Sequence, residues 1–120
     1  MKKAYYSATC TTCARIIKDL ELIKKGFEMN DIKVKKITAK QLDELKEMAG
    51  SYENLFSRVA IKYKALNPKP TSEKEYRKLI LEEYTFLKRP VIVLDNLIFV
   101  GSKKSSIEGA KNTIGSVRKK

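Results

Sequence analysis

Residues 7–16 read SATCTTCARI, and this stretch holds both cysteines of the 120-residue chain, Cys10 and Cys13. A short aromatic-rich run precedes it, KAYYS at residues 3–7, whose composition suits a strand. After it, Ile16, Ile17, Leu20 and Ile23 recur at helical spacing, and Gly26 is the expected end of that helix. A Cys-x-x-Cys between a strand and a helix can be a metal knuckle, a structural staple, a redox centre or two inert core thiols. The rest of the chain narrows that choice.

The sequence contains no histidine. That excludes Ser-His and Cys-His catalysis and any zinc site with an imidazole ligand. Two thiolates cannot close a four-ligand site within one chain, so no metal is expected. No apolar run approaches the ~18 residues of a membrane span, and AYYSATC is too polar and too short for a signal-peptide core. The expectation is one domain over residues 1–120, cytoplasmic and without a membrane partner. A reducing compartment disfavours a permanent disulfide. Lys and Arg number 26 against 14 Asp and Glu, a net charge of +12, which suits an oxyanion or an acidic partner. The lysines are spread along the chain, clustered only in the tail VRKK, and no aromatic-plus-basic strand motif accompanies them. Direct nucleic-acid binding is therefore not expected.

Working outward, IKVKKI at residues 32–37 alternates partly through Ile32 and Val34 and predicts a second strand. Thr38 and Gln41 form a capping box for a helix with Leu42, Leu45, Met48 and Ala49 inward, ending at Gly50. Tyr52–Tyr63 carries a helix-like stripe of Leu55, Phe56, Val59 and Tyr63. NPKP at residues 67–70 is a rigid loop, and Ser72 with Glu75 caps a helix through EYRKLILEEYTFL. PVIVLDNLIFVG, residues 90–101, is the strongest local signal: two β-prone runs flank Asp95-Asn96, a pair suited to a tight hairpin turn. Pro90 stands at the entrance of the first run, where a strand tolerates proline. Ser105 with Glu108 predicts the cap of a last helix bearing Ile107, Ala110, Ile114 and Val117. The order is β-α-β-α-α-α-β-β-α: an α/β, thioredoxin-like fold whose four-stranded mixed sheet has flanking helices and a helical insertion.

A thiol becomes a nucleophile by losing its proton, which unperturbed cysteine does near pKa ~8.5. At a helix start, Cys10 would lie beside unpaired backbone N–H groups and the positive end of the dipole, both of which favour thiolate. Arg89 is the candidate for a further positive charge. Cys13, one turn on, can reach Cys10 and close a small disulfide, so Cys10 can attack an oxidised substrate and Cys13 can resolve the product.

With YYSATCTTCARIIKDL near the start and EEYTFLKRPVIVLDNLIFVG near the end, the chain resembles the ArsC/Spx family over nearly its whole length. The helical insertion LFSRVAIKYKAL is included in the likeness. These thioredoxin-like proteins comprise arsenate reductases and Spx-type transcription regulators. The resemblance implies that Cys10 is the nucleophile, that Arg89 stabilises thiolate or oxyanion, and that Pro90 is a cis-proline set against the active-site loop. Thr9, Thr11, Thr12 and Arg58 join Pro90 as candidate substrate-binding residues. Arsenate reductases of this type generally use three arginines, and only Arg89 maps cleanly. Arg58 is the second candidate, and Gly101 stands where a third would help, with Lys103 or Lys104 as substitutes.

Many such reductases lack a cysteine at the position of Cys13 and use glutathione and glutaredoxin, whereas Spx-type regulators carry Cys-x-x-Cys as an oxidation sensor. Gly101 also looks more like the regulators. MAGSYENLF, residues 48–56, matches only loosely the segment with which Spx holds the RNA polymerase α-subunit. The implied activity is a thiol-dependent reductase acting on arsenate or a related oxidised substrate. It would have no bound cofactor and would take glutathione/glutaredoxin or thioredoxin as reductant. The alternative is a redox-sensing regulator that binds the polymerase α-subunit through a Cys10–Cys13 switch.

Overall fold

A computed structural model of the chain describes residues 2–118, with side chains to Ile114. Val117 and the VRKK tail lie outside the residues whose side chains are described. Among the described residues the strands are β1 (Lys2–Tyr6), β2 (Glu28–Asp31), β3 (Val91–Leu94) and β4 (Leu97–Val100). The helices are α1 (Thr11–Asp19), α2 (Ala39–Ala49), α3 (Ile61–Lys64), α4 (Glu73–Glu82) and α5 (Lys104–Arg118). Short 3₁₀ turns stand at Glu53–Leu55 and Tyr84–Phe86. The order of strands and α-helices is the one the sequence predicts. The sheet runs β2-β1-β3-β4, with β1 parallel to β2 and antiparallel to β3, and β3 antiparallel to β4. This is the mixed sheet of a thioredoxin-like fold. The chain divides into two compact units, Met1–Lys35 with Arg89–Lys120, and Lys36–Lys88.

The first unit is built on the period-two alternation of its strands. Ala4 of β1 pairs with Met29 of β2 and with Ile92 of β3, so these side chains share one sheet face. Ile16 and Ile17 of α1, Leu20, Leu22 and Phe27 after it, and Ala110 and Ile114 of α5 complete a single core with Ala4, Ile92 and Leu94. Each large aliphatic side chain buried there contributes about 1.5–3 kcal/mol relative to exposure. The hairpin closes with Leu94 opposite Leu97 and Asp95 at φ 53°, the left-handed geometry that a two-residue turn demands.

Three expectations for this unit are corrected. Helix α1 stops at Asp19 rather than running on to Gly26, because Glu21 turns left-handed at φ 55° and breaks the ladder. The Lys25 ammonium donates to the Leu20 carbonyl at 3.1 Å, and Leu22 turns inward while Ile23 is left 71% exposed. The second strand is Glu28–Asp31, not residues 32–37. The Ile32 N–H makes the last bond across to the Tyr6 carbonyl, at 2.8 Å. The Asp31 carboxylate then accepts the Lys33 N–H at 3.0 Å and its carbonyl accepts the Lys35 N–H at 3.0 Å, folding the chain into a turn. Ile32 is buried from that turn, and Val34 is 83% exposed. Helix α5 begins at Lys104, with the Ile107 N–H bonded to the Lys103 carbonyl, so Ser105 lies inside the first turn and is not the cap.

In the second unit the Thr38 capping box forms as read. The Gln41 N–H donates to Thr38 Oγ1 at 3.1 Å and the Thr38 N–H donates to Gln41 Oε1 at 2.9 Å. Leu42 and Leu45 are buried beneath it, and Gly50 closes α2 at φ 96°. Ser72 caps α4 by accepting the Glu75 N–H, and the Glu75 carboxylate takes the Ser72 hydroxyl and the Thr71 N–H. Tyr52–Tyr63 is not one helix. Phe56 forms an isolated antiparallel bridge with Leu87, fixed by Ser57 N–H to Phe86 carbonyl at 2.7 Å and Lys88 N–H to Leu55 carbonyl at 2.8 Å. Extended backbone there sets Phe56 against Phe86 and Tyr76, with ring centroids 5.2 and 4.9 Å away. Val59, expected on the inner stripe, is 90% exposed.

Candidate active site

The turn between β1 and α1 places the two cysteines. Cys10 is the N-cap of α1, with extended backbone at φ −87° and ψ 109°. Its sulfur accepts the Cys13 N–H at 3.4 Å, the bond that an N-cap side-chain acceptor ordinarily makes. Its own N–H donates to the Ser7 carbonyl at 3.0 Å, and its carbonyl accepts the Ala14 N–H at 3.0 Å. Both sulfurs are free thiols; Cys10 is partly exposed and Cys13 wholly buried.

Their chemistry diverges accordingly. Burial pushes the Cys10 thiol up, but hydrogen bonds from the Cys13 backbone and side chain, the Arg89 charge and the Thr12 N–H together outweigh it, and the net displacement is downward. For Cys13 burial dominates, and hydrogen bonding to Cys10 adds to it. The Ser7 backbone and Arg89 pull the other way too weakly, and the thiol is pushed up to about 12. Cys10 is therefore the more acidic of the two thiols, and Cys13 the one that burial holds protonated.

Arg89 acts on both sulfurs through its charge. The Arg89–Pro90 peptide is cis, as the resemblance implies for Pro90. Pro90 is buried, and its carbonyl accepts the Gly101 N–H at 2.9 Å, tying the start of β3 to the end of β4. Gly101 sits at φ 82°, a conformation that costs most side chains. Thr9 and Thr11 are exposed and Thr12 half-buried. Lys103 and Lys104 are exposed after the hairpin.

Arg58 belongs to the second unit. There its guanidinium donates to Glu53 at 2.7 Å and to the Tyr76 hydroxyl at 2.9 Å, and it lies 5.5 Å from the Tyr76 ring centroid. The structure thus brings Cys10, Cys13, Arg89 and Pro90 into one unit and gives Arg58 acidic and aromatic partners of its own. Among the described residues, no cluster of three or more His, Cys, Asp or Glu side chains is arranged to hold a metal ion. No described helix is long and apolar enough to cross a membrane.

Sequence reading treated Ser7 only as the last residue of a strand. The structure makes it a fully buried polar residue whose hydroxyl lies 3.0 Å from that of Thr9. A small polar residue between an apolar strand and a capping cysteine was the available signal.

The sequence model of the ArsC family matches residues 5–110. Among solved structures, the arsenate reductase from Vibrio cholerae superposes with a TM-score of 0.75 at 15% identity, covering 91% of this chain and 96% of that one. An arsenate reductase (ArsC) related protein from Brucella melitensis gives a TM-score of 0.68 at 24% identity over 90% and 92% of the two chains. A protein from Staphylococcus aureus COL gives 0.72 at 26% identity over 91% and 97%. No curated protein matches the chain.

Proposed function

Since the chain belongs to the ArsC family, whose members use thiol reductants without a metal cofactor, we propose that it is a thiol-dependent reductase acting on arsenate or a related oxidised substrate. The observation that carries this reading is the opposite displacement of the two thiols at one helix N-terminus, Cys10 downward and Cys13 upward. Cys10 thiolate bonds to the oxidised centre, and an oxygen leaves as water once protonated. A second thiol, Cys13 or glutathione, then forms the S–S bond, and the electron pair of the breaking S–As bond stays with arsenic, giving arsenite. Arg89 stabilises the anion, Thr9, Thr11 and Thr12 offer hydroxyl or backbone donors, and Pro90 positions the loop. Glutathione with glutaredoxin, or thioredoxin, restores the thiols in a cytoplasm that keeps them reduced. Reduced protein supplied with arsenate and these reductants should form arsenite, and Cys10→Ser should abolish it. Absence of arsenite with every reductant rejects the reading.

One observation favours a second reading. Arg58 is bound to Glu53 and Tyr76, and among the described residues Arg89 is the arginine whose charge is seen to act on the Cys10 thiol. A redox-sensing regulator that contacts the RNA polymerase α-subunit needs the Cys10–Cys13 disulfide but no complete oxyanion cradle. Capture of that subunit by oxidised protein only, with no arsenite formed, would select it.

A further inference from the structure

Residues 7–10 form a tight turn that carries the chain from β1 into α1. The Cys10 N–H closes it on the Ser7 carbonyl at 3.0 Å. A second bond crosses the turn, between the hydroxyls of Ser7 and Thr9 at 3.0 Å. Beyond it the Cys10 carbonyl accepts the Ala14 N–H at 3.0 Å, and the Cys10 sulfur accepts the Cys13 N–H at 3.4 Å. Ser7 has no exposed surface, whereas Thr9 is exposed. That difference decides which hydroxyl donates. Among the described residues Thr9 is the one partner of the Ser7 hydroxyl. Were Ser7 the acceptor, its own proton would be buried with nothing to bond, while Thr9 can place its proton in water. Ser7 therefore donates and Thr9 accepts.

We infer that Ser7 and Thr9 are positioning residues for Cys10: the bond from the Ser7 hydroxyl to Thr9 Oγ1 holds the turn that delivers the Cys10 sulfur to the orphan N–H groups at the start of α1. The inference rests on the reading of Cys10 as the reactive thiol. The chain of contacts is continuous. The hydroxyl pair fixes the middle of the turn, the Ser7 carbonyl fixes the Cys10 N–H, and the Cys10 backbone so placed starts the helix whose Cys13 N–H reaches the sulfur. An N-cap acceptor works only where its backbone leaves the helix at the right angle, so a turn free to relax would draw the sulfur away from its donor. In this role Ser7 acts through the turn and touches no substrate.

Alkylation of the full chain with iodoacetamide, mapped at Cys10 by mass spectrometry across pH, reads both where the thiol titrates and how fast its thiolate reacts. Thr9→Val leaves the Ser7 hydroxyl buried and unpaired. Below the midpoint Cys10 should then react about fivefold more slowly, the lower end of that penalty, with the midpoint moved to higher pH and the alkaline plateau kept. Ser7→Ala removes the donor without creating an orphan, so it should act in the same direction and less. The double variant Ser7→Ala/Thr9→Val should therefore react faster than Thr9→Val alone, a reversal that general loosening of the turn does not produce. Thr9→Ser should match the wild type. An unmoved profile in Thr9→Val, or a double variant no faster than Thr9→Val, overturns the inference alone. A lowered plateau with an unmoved midpoint also overturns it, because the sulfur would then be hidden rather than displaced. A wild-type midpoint at or above the ordinary 9.0 overturns the reading of Cys10 as the reactive thiol and the inference with it. None of these readouts depends on arsenate.

Discussion

The Cys13 N–H donates to the Cys10 sulfur across 3.4 Å, while the Cys13 thiol is itself wholly buried one turn into α1. One residue thus stabilises its neighbour's thiolate with its backbone and keeps its own sulfur protonated. The difference in acidity between the two thiols follows from where a helix begins, because the orphan donors lie at its first turn and the core lies behind it.

Alkylation should distinguish the two thiols. The folded-state pKa of Cys10 lies below the ordinary 9.0 and that of Cys13 above it. With pH rising from 5 to 10, iodoacetamide should modify Cys10 first, its rate half-maximal below the ordinary thiol value, with Cys13 protected until the protein unfolds. Mass mapping that finds Cys13 modified first would contradict the assignment.

The same displacements give opposite stability slopes. Cys10, lowered, contributes stability that is present above its unfolded value and lost as pH falls through its folded value. Cys13, raised, contributes stability that is complete below 9.0 and lost as pH climbs toward about 12. Relative to wild type, Cys13→Ala should therefore show a shallower alkaline decline in urea midpoint.

The Arg89 charge lowers the Cys10 thiol from within the same unit. Arg89→Gln should move the alkylation profile of Cys10 to higher pH, and Arg89→Lys should restore part of the shift, since a point charge keeps the Coulomb attraction without the planar fork. An unmoved profile in Arg89→Gln would remove Arg89 from the site.

Removing the Thr38 hydroxyl breaks a reciprocal capping box. Thr38→Ala should cost about 1 kcal/mol in urea denaturation, and Thr38→Ser should recover most of it. A midpoint indistinguishable from wild type in Thr38→Ala would show the box to be redundant.

Gly109, inside α5, lies where an added Cβ would stand 3.1 Å from Phe99 Cε1. Phe99 is half-buried at the sheet edge, so its ring can yield a few tenths of an ångström. Gly109→Ala should then stabilise the chain by less than the full ~1 kcal/mol of helix propensity, and Gly109→Val should destabilise it. A destabilised alanine variant would mean that the ring is fixed.

Local chemistry was mostly legible where a residue and its partner lie within a few positions, the cap read at Ser105 with Glu108 being the exception. Thr38 with Gln41, Ser72 with Glu75, Gly50 as a helix end and Asp95-Asn96 between two apolar runs needed only their immediate neighbours. Cys10 at a helix start was equally readable, because an N-cap is a matter of three or four residues. Three features were not. The polar run Glu28–Asp31 became the edge strand, although Ile32–Ile37 had the better strand composition. Parallel pairing with β1 uses backbone groups and demands little of the side chains. Ile23 was read into a helix that Glu21 had already ended. Phe56 looked helical until a bridge to Leu87, distant in sequence, drew it straight.

The sequence by itself determined the order of elements and placed a Cys-x-x-Cys pair at one end of the chain and Arg89-Pro90 near the other, because residue types and spacing carry that information directly. Only the tertiary structure decided that Cys13 is wholly buried and held protonated, that Ser7 is a buried polar residue whose carbonyl takes the Cys10 N–H, and that Arg58 is bound to Glu53 and Tyr76. Burial, charge proximity and hydrogen-bond partnership are properties of neighbours in space. In this chain such neighbours can be as far apart in sequence as Cys10 and Arg89.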